Sequence, residues 1–145
     1  MKKSNWVKEV VASVCVFSTI LLMVNCSGNK SETTDPMQDK GIGPVTSVQI
    51  GAMDNALADK GQELFKKKCS ACHKLDVKYV GPALKGVTKR RTPEWIMNQI
   101  LNPKEMTEKD PIAKDLLATF MTQMTFQDVT QDDARAILEY FRQNE

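Results

Sequence analysis

The chain has 145 residues, with 20 Lys and Arg against 18 Asp and Glu, and apolar side chains make up 41% of it. That length holds one small domain and an appended segment, too little for a dinucleotide-binding or barrel enzyme, and a net charge of +2 gives no support for nucleic-acid binding. A single histidine excludes any site that needs two imidazoles, such as a HExxH zinc protease.

The first residues carry Lys2, Lys3 and Lys8, and Val10 to Val24 is then uncharged throughout. A basic start and an apolar run of about 15 residues fit an export signal, where a full membrane span wants roughly 20. The run ends in LMVNC, which resembles a bacterial lipobox with Cys26 as the lipidated residue, although Asn25 replaces the usual small residue. The expectation is a lipoprotein-type signal over 1–25. An uncleaved anchor helix and simple cleaved secretion are the alternatives, and all three place the rest of the chain outside the cytoplasm.

Residues 26–53 are rich in Gly, Pro, Ser, Thr and charges and show no sustained period. Such a composition buries too little apolar surface to offset ordering entropy. A flexible linker is expected, with one short extended piece at 45–50.

From Asp54 the periodicity becomes helical, and a domain is expected over 54–145. Asp54 or Asn55 caps a first helix that ends near Lys68–Ser70, and Gly81-Pro82 and Gly86 punctuate a loop. Thr92-Pro93 starts a second helix that Asn102-Pro103 stops, Asp110-Pro111 a third, and Thr130-Gln-Asp-Asp133 a fourth in the manner of a capping box. No stretch alternates strongly enough for a strand. The expected fold is all-α, with about four helices, small enough to be marginal unless something fills its middle.

Cys69-Ser-Ala-Cys72-His73 supplies the filling. C-x-x-C-H is the attachment pattern of c-type haem. Two residues between the thiols let one turn present both sulfurs to the two porphyrin vinyls, and the adjacent imidazole falls beneath the iron. A thioredoxin-like pair needs a βαβ context that is missing. A zinc site lacks ligands, since Cys26 is the only other cysteine outside the apolar run.

Residues 57–143 resemble class I cytochrome c, the small monohaem electron carriers. The resemblance rests on Gly61 and Phe65, the haem motif, Gly81-Pro82-Ala83-Leu84, a methionine ahead of the last helix, and Ile137 with Tyr140 within it. It implies a close crossing of the first and last helices at Gly61 and one covalent haem c around Cys69 and Cys72. The iron would be held by His73 and a methionine sulfur. Met124 fits the family's position, and Met121, three residues earlier, is the alternative, read as core filler. The family commonly has Pro after this methionine, where Thr125 stands here. Pro82 is expected to accept a hydrogen bond from the imidazole, and Arg91 or Trp95 to meet a haem propionate.

The resemblance implies an exported, membrane-tethered carrier of single electrons facing the periplasm, not an enzyme. A quinol-oxidising complex or another cytochrome would be its donor, a terminal reductase or oxidase its acceptor. A haem-based redox or gas sensor and a fixed cytochrome subunit of a respiratory complex are the alternatives. Lys60 to Arg91 holds ten basic residues against two acidic, and Thr92 to Glu145 five against ten. A basic rim around the haem would steer acidic partners.

Overall fold

The computed structural model describes residues 35–145, and the expected signal over 1–25 and Cys26 lie outside the described residues. Among the described residues five α-helices follow one another: α1 Asn55–Lys68, α2 Pro93–Leu101, α3 Pro103–Lys109, α4 Pro111–Phe120 and α5 Gln131–Gln143. A single 3-10 turn, Val87–Lys89, interrupts the long connection from α1 to α2. No strand occurs among the described residues, and none of their helices is long and apolar enough to cross a membrane.

The helix starts follow local chemistry. Asp54, Thr92, Asp110 and Thr130 each accept a hydrogen bond from a first-turn backbone N–H of α1, α2, α4 and α5, and Thr130 with Asp133 completes a reciprocal capping box. The helix that was not expected is α3. Asn102-Pro103 ends α2 as anticipated, but Pro103 also lacks an N–H at a position where none is needed, so it opens a new helix at once.

The core is built where α1 crosses α5. A Cβ on Gly61 would lie 2.0 Å from the Ala136 carbonyl oxygen, so only glycine permits this approach. Phe65 then packs on Tyr140 and Phe141 with ring centroids 5.5 and 5.8 Å away. Ile137 and Leu138 are fully buried. Burial of each such side chain contributes about 1.5–3 kcal/mol. Glu139, also fully buried, receives the Asp54 N–H at 3.0 Å and the Arg142 guanidinium at 2.6 Å, which ties the start of α1 to α5.

The segment expected to be a flexible linker is in part a folded strap. Val45 is only 3% exposed. The Asn98 amide of α2 brackets the strap: Oδ1 accepts the Val45 N–H, and Nδ2 donates to the carbonyls of Lys40 and Val45, each at 2.9 Å. Glu94 accepts the Val48 N–H at 3.0 Å, and Asn102 donates to the Ile42 carbonyl at 3.2 Å. The strap shows no hydrophobic period because helix side chains hold its backbone, while its own side chains mostly face outward. The folded unit therefore begins well before Asp54.

Candidate cofactor site

The end of α1 delivers the C-x-x-C-H turn. Cys69 caps the helix with its N–H on the Phe65 carbonyl, and the amides of Cys72 and His73 both return to the Cys69 carbonyl, at 3.1 and 2.9 Å. The chain then loops back. The Gly81 N–H donates to the Cys72 carbonyl, Leu84 to Lys74, and Lys85 to Leu75. This clamp lays Gly81-Pro82 against the His73 ring.

The imidazole is oriented on one side and confined on the other. Nδ1 lies 3.2 Å from the Pro82 carbonyl oxygen. As a donor there, it leaves Nε2 with its lone pair free. A Cβ on Gly81 would come within 2.4 Å of Cε1, so the ring occupies the space a side chain at 81 would take. Burial pulls the His73 pKa below its ordinary value, against the Pro82 hydrogen bond that raises it, and keeps the ring neutral at pH 7. Cys69 and Cys72 are free thiols. Burial above all, with the Cys72 thiol beside it, pushes Cys69 up to about 11. At neutral pH it therefore retains the S–H that addition to a vinyl group consumes.

These residues face a cavity of about 260 Å³. Ile96, Ile100, Leu116, Leu117 and Phe141 supply apolar walls from three helices, α2, α4 and α5. Met124 also lines it, and no other methionine of the described residues does. Met97 and Met106 are core residues, 2% and 0% exposed. Met121 is not the core filler expected: it ends α4 with a left-handed backbone, φ 50°, and is 83% exposed. A neutral imidazole, a thioether, two thiols and apolar walls in one cavity fit an iron porphyrin.

Residues 58–145 match the cytochrome c family. The chain belongs to that family. A cytochrome c from Rhodothermus marinus superimposes with a TM-score of 0.69 at 49% identity, over 70% of this chain and 88% of that one. Cytochrome c-551 of Stutzerimonas stutzeri is 62% identical over 37 residues, and a cytochrome c-553-like protein of Synechocystis 33% identical over 64. The chain spans 36% and 61% of the length of these two curated relatives. Cytochromes c carry haem c covalently, and haem c with its iron is the cofactor here.

The remaining expected contacts divide. Arg91 lines the cavity with its guanidinium 5.3 Å from the Trp95 ring centroid. Burial and the neighbouring Arg90 lower its pKa, while Asp110 and Asp39 raise it. Trp95 also lines the cavity, but its indole N–H donates to the Asp110 carboxylate at 3.2 Å, so it is not available to a propionate. Sequence reasoning could not assign that N–H, because Asp110 is 15 residues away and reaches Trp95 only through the α3 detour. Two residues were missed altogether. Gln99 lines the cavity four residues after Trp95, on the same helix face, a polar residue among Ile96, Met97 and Ile100 that could have been singled out. Asp39 sits in the strap, where nothing in the pattern marks it.

Proposed function

We propose that this cytochrome c carries single electrons between respiratory-chain components. The observation that carries the reading is that one cavity receives both His73 and Met124 and leaves Met121 in solvent. Haem c supplies the one-electron Fe(III)/Fe(II) couple. Cys69 and Cys72 hold it through two thioether bonds. His73 Nε2 and Met124 Sδ would bind its iron, with the Pro82 carbonyl keeping the imidazole in place. Arg91 meets a propionate. With both ligands in place, oxygen and peroxide would be kept off the iron, which favours transfer over catalysis.

The loop bearing Met124 is braced to hold its sulfur in the cavity despite Thr125. Lys68 Nζ donates to the Gln127 carbonyl at 3.1 Å, and the Gln127 amide returns to Thr125 at 3.0 Å. These bonds stiffen the segment where a proline would otherwise do so. The sensor reading needs the opposite, a loop that releases its ligand.

Partners dock at the cavity mouth. Lys68, Arg90 and Arg91 line it, and exposed Val77 and Tyr79 follow the haem motif. A quinol-oxidising complex or a cytochrome would donate, and a terminal reductase or oxidase would accept. Cys26 carries lipid, and the domain faces the periplasm on its tether.

The test is the visible spectrum of the full-length haem-loaded chain. The weak far-red ferric band that reports sulfur on iron is expected in the wild type and in Met121→Ala, and is expected to vanish in Met124→Ala. A wild-type spectrum without the band that shifts on adding CO would replace the carrier reading with the sensor.

A further inference from the structure

Met124 has a second contact besides the cavity it faces. Gln99 Nε2 of α2 lies 3.7 Å from Met124 Sδ, within the range of an N–H to sulfur hydrogen bond, and Gln99 Oε1 is buried with no partner. A buried carbonyl oxygen left unpaired costs the desolvation that a hydrogen bond would have repaid. A side chain kept in that state holds its amide N–H toward the sulfur at the expense of its other end. α2 fixes the position of Gln99: Ile96 and Ile100 flank it in the core, and Asn98 next to it is locked by the strap.

A thioether sulfur has two lone pairs. With Met124 as the iron's sulfur ligand, one points to the metal and the other is free to accept from Gln99. An N–H on that second pair withdraws electron density from sulfur and makes it a poorer donor. The ferric ion depends on that donation more than the ferrous ion does. We infer that Gln99 is a tuning residue of this cytochrome, holding the Met124 sulfur by a hydrogen bond that shifts the iron's equilibrium toward Fe(II).

This inference rests on Met124 as ligand, and the experiment separates the two. The full-length haem-loaded wild type, Met124→Ala, Gln99→Leu and Gln99→Asn are compared by their far-red ferric band and their reduction potential. Gln99→Asn keeps an amide in the cavity but is one methylene too short to reach the sulfur. Both Gln99 variants are expected to keep the band, and Met124→Ala to lose it. In both Gln99 variants the Fe(II):Fe(III) ratio at fixed applied potential is expected to fall about three- to tenfold, the size of one net hydrogen bond. A tenfold change corresponds to 59 mV for one electron. A Gln99→Asn potential within twofold of wild type would overturn the inference, because polarity alone would then suffice, and it decides the matter even if the leucine variant does not fold. Retention of the band in Met124→Ala would instead overturn the ligand assignment.

Discussion

A buried carboxyl pair lies close to the haem site. Asp110 is 2% exposed and accepts from the Trp95 indole and the Ala113 N–H, while Asp39 Oδ2 is buried with no donor. A proton shared with Asp110 would satisfy that oxygen. Burial raises the Asp110 pKa, the Ala113 hydrogen bond lowers it, and the adjacent Asp39 carboxyl raises it further, to a net value above 3.8. The sign follows from linkage: a carboxyl whose pKa is raised on folding binds more protons folded than unfolded, so stability falls as pH rises from about 3.8 through the folded pKa. Asp39→Asn removes the like charge and offers an amide donor in its place. It should flatten that fall and stabilise the domain at pH 7 by on the order of 1 kcal/mol, measured by urea unfolding across pH 4–8. A wild-type pH profile in the variant would show that the pair does not share a proton. Residues of this kind are illegible in sequence, since their meaning comes from a neighbour some seventy positions away, whereas His73 and its two cysteines are read from five adjacent letters.

Among the elements, the crossing of α1 and α5 was the most legible. Gly61, Phe65, Ile137 and Tyr140 mark it in the sequence, and the structure brings them together. Gly61→Val would drive a branched side chain into the Ala136 carbonyl, with overpacking of about 3 kcal/mol. For a domain of this size that lowers the melting temperature by roughly 15 °C, and an unchanged melting temperature would refute the contact. The strap and α3 were not legible, for two different reasons. Asn98 organises the strap through one side chain and three backbone bonds, an arrangement without period. Pro103 is both a stop and a start, and local pattern alone favours the stop.

Across the whole molecule, charge is the relevant quantity. The basic excess of Lys60 to Arg91 is partly neutralised within the fold, since Lys60 pairs with Asp133 and Lys89 with Glu145 from outside that stretch. Lys68 and Arg90 remain among the residues that line the cavity. Electron transfer to an acidic redox protein should therefore slow several-fold between about 0.01 and 0.15 M salt, as the screening length falls from roughly 30 to 8 Å. Stopped-flow rates that do not change with ionic strength would leave the basic rim without a steering role.

By itself the sequence determined the cofactor, the all-helical class and four helix starts, because each depends on residues within a few positions of one another: two thiols and an imidazole on one turn, or a cap three residues before the N–H it accepts. Tertiary structure alone decided which methionine faces the cavity, where the Trp95 N–H goes, that Gln99 reaches a sulfur, and where the folded unit begins. Those depend on distances between segments far apart in the chain, which only packing sets.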